Sequence, residues 1–161
     1  MTWKQVCEDK SLANLPYKVE LSRQGQLIMS PTRNQHGFFQ GEIAYLLRSL
    51  LAHGFTLTEC AVDTPDGTIV ADVTWASPER FGVIKDEFSC SVAPEICVEI
   101  WSESNTKEEL NKKRRLYLAK GALEWWYCDK HGRLSFFDEK RQMPASKLCP
   151  GFPTRIGDKV K

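Results

Sequence analysis

The run from residue 96 to residue 101 is apolar on both of its alternating faces, except at Glu99. Such a run predicts a strand inside a sheet that is covered on both sides. A carboxylate at that position costs free energy unless a cation or hydrogen bonds compensate it. Glu99 is therefore either held by a structural partner, such as an arginine or a backbone N–H group, or acts as a metal ligand or catalytic acid. The strand alone leaves both interpretations open.

Other apolar runs alternate with polar residues and predict further strands. Four of these runs cover residues 17–21, 26–30, 123–129 and 134–138. Turn-forming residues join the first two runs and the last two, which predicts an N-terminal and a C-terminal β-hairpin. Two more runs, 55–62 and 69–75, flank a strong turn signal at residues 63–67. The odd-numbered apolar residues of the run 69–75 share one predicted face, and Asp72 lies on the other. Asp72 is thus a second carboxylate inside an apolar strand.

Helical spacing appears first between residues 35 and 53, where apolar residues recur on one face. Gly54 predicts the end of this helix. Glu42 lies at the edge of the apolar face, as a solvated residue at the flank would.

A second helix is predicted after the Glu99 strand, because Thr106 and Glu109 form a capping-box pattern. The helix is expected to end near Lys120. Lys113 falls within its apolar stripe, between Leu110 and Tyr117. Its ammonium group either extends outward to water or meets a carboxylate on the sheet beneath.

Composition narrows the function classes. The chain has 161 residues and a formal net charge of +1, so any surface that binds nucleic acid must be a local patch. The length predicts a single domain over residues 1–161. No apolar run approaches the length of a membrane span, and the N-terminus lacks the apolar core of a signal peptide, which predicts a cytoplasmic protein. The six cysteines show no zinc-finger spacing.

The predicted order is hairpin, helix, three strands, helix, hairpin, which indicates an α/β fold. Asp72 and Glu99 on two strands and Lys113 on the next helix suit a metal-dependent phosphodiesterase. Carboxylate oxygens hold a hard cation such as Mg²⁺ or Mn²⁺. The cation lowers the pKa of a bound water and stabilises charge on the phosphate, and a lysine adds to that stabilisation.

These residues resemble those of the Uma2 family, in the PD-(D/E)xK restriction-endonuclease-like superfamily. The shared pieces cover about residues 17–138 and are Glu20-Leu21 with Gly25, Met29-Ser30-Pro31, His36-Gly37, Ala71-Asp72-Val73, Val98 to Ser102 with Ser104 and Thr106, Lys113 with Tyr117, Gly121 to Trp126, and Asp129. Each motif is weak, whereas their order and spacing together are fairly specific.

The resemblance implies a restriction-endonuclease-like core, with a four-stranded mixed β-sheet flanked by α-helices. It implies that Asp72 and Glu99 bind the metal, together with the backbone carbonyl of Ile100. The superfamily lysine would fall at Trp101, and in this family the following helix supplies it, which matches Lys113. The resemblance also makes Glu42 a candidate additional catalytic acid.

His36 is a candidate accessory residue, because it matches the histidine that this family carries at the start of the helix. The chain departs from the family at Ala71, where a proline usually precedes the aspartate, and at Glu109, where an aspartate is frequent. Neither departure removes a predicted metal ligand.

The expected function is Mg²⁺-dependent cleavage of phosphodiester bonds in DNA. A homodimer is expected, because cutting both strands of a duplex usually requires two active sites. Two alternatives stay open. One is a nucleic-acid-binding protein that keeps the fold and does little chemistry. The other is a structural or interaction protein in which Asp72 and Lys113 form a buried ion pair.

Overall fold

The computed structural model describes residues 1–157, so residues 158–161 of the predicted domain lie outside the described part. The helices are α1 (Trp3–Glu8), α2 (Asn34–Leu50), α3 (Pro78–Ile84) and α4 (Lys107–Ala119), with a short 3₁₀ turn at Lys10–Leu12. The strands are β1 (Tyr17–Ser22), β2 (Leu27–Pro31), β3 (Phe55–Thr64), β4 (Gly67–Ala76), β5 (Ile96–Ile100), β6 (Glu124–Cys128), β7 (Leu134–Phe137) and β8 (Gln142–Met143). Within the described residues, no helix is both long enough and apolar enough to span a bilayer.

The strands form one eight-stranded sheet in the order β2-β1-β4-β5-β6-β7-β8, and β3 pairs with β4. The pair β5–β6 is parallel, whereas the other pairs are antiparallel. This confirms the predicted α/β class with a mixed sheet and a hairpin at each end. The sheet has eight strands where the family resemblance implied a core of four: the two hairpins supply four of the eight, β8 supplies one, and β3, β4 and β5 are the other three.

Helices cover both faces of the sheet and create two apolar layers. One layer packs α2 on the sheet through Phe39, Ile43 and Leu47. The other packs α4 through Leu110 and Tyr117. Burial on both faces explains why β5 is apolar at every position except Glu99, as expected for a strand in the middle of a covered sheet.

Helix α4 begins as predicted, with Thr106 and Glu109 in a reciprocal capping box. Helix α2 is shorter than predicted, because it ends at Leu50 and the chain leaves helical geometry at Leu51. The expected stop at Gly54 was therefore wrong by one turn. Gly54 has another reason to be glycine, since a Cβ there would lie 2.4 Å from the Trp75 ring.

Strand β4 has a fork along one edge. On that edge, β1 pairs only with Gly67 and Thr68, and β5 pairs only with residues 73–75. Residues 69–72 pair with neither strand, so the sheet opens between β1 and β5. Gly67 permits the close approach of β1, because a Cβ there would lie 2.2 Å from the Leu21 carbonyl oxygen.

The alternation of side chains along β4 changes phase at Asp72. Ile69 and Ala71 pack in the α4 layer, whereas Val73 and Trp75 pack in the α2 layer. The prediction that these residues share one face was therefore wrong. Opposite Asp72, Glu59 of β3 has φ of 51°, and this pair is missing from an otherwise regular ladder. A local irregularity of this kind re-aims the side chains around it.

Candidate active site

Charged side chains from four elements meet at the fork in the sheet. Strand β1 supplies two, β4 and β5 supply one each, and α4 supplies one: Lys18, Glu20, Asp72, Glu99 and Lys113. The fork places them together, because β1 and β5 separate there and leave space beside the middle of β4. The site is therefore a product of the topology as much as of the residues.

Lys18 lies at the centre of this cluster. Its Nζ is 3.1 Å from Asp72 Oδ1 and 3.1 Å from Glu99 Oε2, and 3.8 Å from Glu20 Oε1. Burial alone would lower the pKa of Lys18. The surrounding carboxylates Asp72, Glu99 and Glu20 outweigh burial and hold that pKa well above its ordinary value. Lys18 is thus a charged and largely buried ammonium at the edge of the cleft.

Asp72 uses its two carboxylate oxygens for different tasks. Oδ2 accepts a hydrogen bond of 2.7 Å from the backbone N–H of Ile100, and Oδ1 faces Lys18 and lies 3.2 Å from His36 Nε2. Burial opposes ionisation, but Lys18, His36 and the Ile100 N–H outweigh it and hold the pKa of Asp72 well below its ordinary value. Asp72 is therefore an anion with a fixed orientation.

Glu99 is fully buried and is also fixed at both oxygens. Oε1 accepts a 2.9 Å hydrogen bond from the Tyr117 hydroxyl and lies 3.7 Å from Lys113 Nζ, while Oε2 faces Lys18. Burial raises the pKa of Glu99 above its ordinary value, even though Lys113 and Lys18 act in the opposite direction. Of the two predicted acids, Glu99 is the one whose proton is held more tightly.

Glu20 is a third carboxylate of the cluster. Its Oε1 accepts two hydrogen bonds, one of 3.0 Å from the backbone N–H of Val70 and one of 2.8 Å from Lys113 Nζ. The Val70 N–H lies in the fork, where neither β1 nor β5 pairs with β4, so Glu20 satisfies a buried donor that the sheet leaves unpaired. The Glu20 side chain thus completes the hydrogen bonding of β4 and also belongs to the charged cluster.

The structure brings together three of the predicted catalytic residues: Asp72, Glu99 and Lys113. His36 joins them through Asp72. Ile100 lines the cleft that opens on the cluster. Its observed contact with Asp72 is made by the N–H group, so metal binding by its carbonyl stays a prediction.

Glu42 is half-buried on α2 and is not among the residues that line the cleft. Besides His36, the α2 side chain that reaches β4 is Gln40. It donates a hydrogen bond of 2.8 Å to the backbone carbonyl of Asp72. In the described part of the chain, no ion pair or hydrogen bond joins Glu42 to the cluster. Its catalytic role stays a prediction that the geometry does not strengthen.

Lys18 and Glu20 are the members that sequence reasoning missed. Both lie on the polar side of an alternating strand, a pattern that normally marks a solvent-facing surface. The available signal was that Glu20 belongs to a piece shared with the family. The predicted pairing of Asp72 with Lys113 also changes, because the ammonium beside Asp72 belongs to Lys18.

A cleft of about 570 Å³ opens on the cluster. The β1–β2 hairpin, α4 and the loop after β5 form its walls. Arg23, Lys112 and Lys113 line it, together with hydroxyl groups of Ser30, Ser102 and Ser104 and with two further carboxylates, Asp66 and Glu109. Cations and hydroxyl donors suit an anionic ligand such as a phosphodiester.

The cluster offers carboxylate oxygens, which are the ligands that a hard divalent cation such as Mg²⁺ prefers. Asp72, Glu99 and Glu20 would hold the ion. Within residues 1–157, no three His, Cys, Asp or Glu side chains stand close enough together to hold a metal as they are. The spacing of these carboxylates is instead set by the Lys18 ammonium between them.

Comparison with known proteins places this chain in a family. No curated protein matches the chain. A solved structure described as "a putative nuclease belonging to DUF820 from Anabaena variabilis ATCC 29413" has the same fold, with a TM-score of 0.72 over 96% of this chain and 94% of that one. The two sequences are 15% identical. The family model for Uma2, described as "Putative restriction endonuclease", matches residues 7–149. The chain belongs to the Uma2 family of restriction-endonuclease-like proteins.

Proposed function

We propose that the protein is a Mg²⁺-dependent endonuclease that hydrolyses phosphodiester bonds in DNA. One observation carries this proposal: three buried carboxylates from three neighbouring strands converge on one ammonium group, and two of them, Glu20 and Asp72, line a cleft that lysines and Arg23 also line. Burying three carboxylates together is costly unless cations compensate them. A metal-dependent nuclease needs such a set of oxygen ligands beside an open path for the substrate.

When bound, Mg²⁺ or Mn²⁺ would activate a water and stabilise charge on the scissile phosphate. Asp72 and Glu99 are the expected ligands, with Glu20 as a third. The Ile100 N–H and His36 orient Asp72, and the Tyr117 hydroxyl orients Glu99. These partners fix the carboxylates before a ligand arrives, which is how supporting contacts tune a metal site.

Lys113 is the expected source of positive charge next to the phosphate. Its side chain is 15% exposed and lines the cleft, whereas that of Lys18 is 9% exposed. Lys113 can therefore face the substrate while it also contacts Glu20. Arg23 at the cleft would bind a flanking phosphate, as would Lys112 once it leaves its ion pair with Asp66. Binding is therefore expected to weaken as salt concentration rises.

The test is cleavage of plasmid DNA with Mg²⁺ or Mn²⁺ by the wild type and by Asp72→Asn, Glu99→Gln and Lys113→Met. Removing a group that only orients a metal ligand typically lowers metal affinity or activity 10–100-fold. We therefore expect each variant of a ligand to lose about 100-fold or more of the cleavage activity. Glu139→Gln, at an exposed turn after β7, is the matched control and should cut normally. Unchanged cleavage by Glu99→Gln would contradict the proposal.

Two further measurements on the same proteins, DNA binding at several salt concentrations and thermal stability with divalent ions, separate the alternatives. A protein that binds DNA without cutting it would show salt-sensitive binding and no cleavage with either metal. A purely structural ion cluster would show neither, and divalent ions would not change its thermal stability. Glu42→Gln, tested alongside, decides whether Glu42 has the catalytic role expected from the family. The homodimer and the cytoplasmic location stay predictions.

A further inference from the structure

The ammonium group of Lys18 lies where a divalent cation would be expected to bind. It contacts Asp72 and Glu99 at equal distances of 3.1 Å and approaches Glu20 at 3.8 Å. Lys113, the other lysine of the cluster, contacts Glu20 and Glu99 from the side of α4. Only the Lys18 ammonium, of the two, bridges both predicted metal ligands.

An ammonium group and a divalent ion cannot share this position. Both would need the same oxygens of Asp72 and Glu99, and the two positive charges would repel strongly at such short range in a buried site. A Mg²⁺ ion also needs oxygen ligands at about 2.0–2.1 Å. The carboxylates stand farther apart than that, around an ammonium at 3.1 Å.

We propose that Lys18 is a built-in competitor for the metal: it neutralises the acid cluster in the metal-free protein, and it must leave before a divalent ion can bind. This inference rests on the proposed metal-dependent function and adds a step to it. The cluster is never left as three uncompensated buried carboxylates, because one cation replaces another.

The position of Lys18 on β1 allows this exchange. Its side chain borders the cleft as well as the cluster, and lysine carries its charge at the end of a flexible four-carbon chain. The ammonium can therefore move from the carboxylates toward the cleft without a change in the sheet. Lys18 would then add its charge to the surface that faces the DNA.

The experiment measures Mn²⁺ binding without DNA, by titration calorimetry, for the wild type, Lys18→Met and Lys113→Met. Both variants remove one positive charge from the cluster, so Lys113→Met is the matched control for net charge. We expect Lys18→Met to bind Mn²⁺ at least about tenfold more tightly than the wild type, and clearly more tightly than Lys113→Met.

Two outcomes would overturn the proposal while leaving the metal site intact. One is Mn²⁺ binding by Lys18→Met that is no tighter than in the wild type. The other is an equal gain in Lys113→Met, which would reduce the effect to net charge. If none of the three proteins binds Mn²⁺, the proposed metal-dependent function fails, and the role of Lys18 fails with it.

A measurement on the wild type covers the case in which Lys18→Met does not fold without metal. Lysine acetylation by a small reagent, followed by mass spectrometry, reports how available each amine is. We expect acetylation of Lys18 to become faster when Mg²⁺ is added, because its ammonium leaves the carboxylates. Exposed Lys140, on the turn after β7, is the internal reference. An unchanged or slower reaction at Lys18 in a protein that binds Mg²⁺ would contradict the exchange.

Discussion

At the scale of single residues, the site depends on hydrogen bonds that hold buried carboxylates in one orientation. Tyr117 is fully buried on α4 and donates to Glu99 Oε1 at 2.9 Å. Burial, followed by the charge of Glu99, raises the pKa of Tyr117 well above its ordinary value. The hydroxyl is therefore a permanent donor, and it keeps one oxygen of Glu99 in place.

Tyr117→Phe removes this donor and leaves the ring. We expect the free energy of unfolding to fall by about 1.5–3 kcal/mol, because a hydrogen bond to a buried charged group is lost without a replacement. Urea unfolding of the metal-free protein measures the change. Tyr127→Phe on β6 is the control, since the Tyr127 hydroxyl donates to no carboxylate among the described residues, and it should cost less. Equal losses in the two variants would mean that the bond to Glu99 contributes little.

Residue chemistry also shows how far the sequence alone could lead. Asp72 and Glu99 were recognisable, because a carboxylate in an apolar strand costs free energy unless a cation or hydrogen bonds compensate it. Lys18 and Glu20 were not, because alternation of polar and apolar residues on β1 is also what a solvent-covered strand shows. The pattern reports that a face is polar. It does not report whether water or a charged cluster lies against that face.

At the scale of elements, the irregularity between β3 and β4 aims the side chains of the site. Glu59 has φ of 51°, and Gln40 of α2 bridges the interruption by donating to the Glu59 carboxylate at 2.7 Å and to the Asp72 carbonyl at 2.8 Å. The change of phase lets Asp72 meet groups from two elements, His36 from α2 and Lys18 from β1. Periodicity predicted both strands but could not predict this interruption, since glutamate gives no sign of a left-handed backbone.

Glu59→Val tests the element directly. Valine favours regular strands, yet we expect the free energy of unfolding to fall by about 1–2 kcal/mol, because a β-branched residue is strained at positive φ and the bond to Gln40 is lost. Thr58→Val, one residue earlier on the same strand, is the control and should change stability by less than about 0.5 kcal/mol. Urea unfolding compares the two. A stabilised Glu59→Val protein would show that β3 can return to regular pairing at no cost.

At the scale of the whole molecule, the fork in the sheet joins stability to the charge state of the cluster. Strand β1 contributes two charged side chains there, and β4, β5 and α4 contribute one each. Lys18 compensates carboxylates from three strands at once, so it helps to hold β1 beside the central sheet. The overall fold followed from hydrophobic patterns, whereas the fork depends on long-range pairing between β1 and the start of β4, which local sequence does not encode.

This coupling predicts a specific loss of stability in alkali. The pKa of Lys18 is raised well above its ordinary value of 10.5 by the carboxylates around it, against the effect of burial. Its contribution to stability is therefore complete below about pH 10.5 and is lost as pH rises through the pKa in the folded state. In that window the unfolded chain has released the proton that the folded protein keeps. The free energy of unfolding of the wild type should fall by about 1.4 kcal/mol per pH unit through this residue.

Lys18→Met should lack this component of the pH dependence. Urea unfolding at intervals between about pH 9 and pH 11.5 can measure it in both proteins. Parallel curves for the two proteins would mean that Lys18 is not the cation that holds the cluster together.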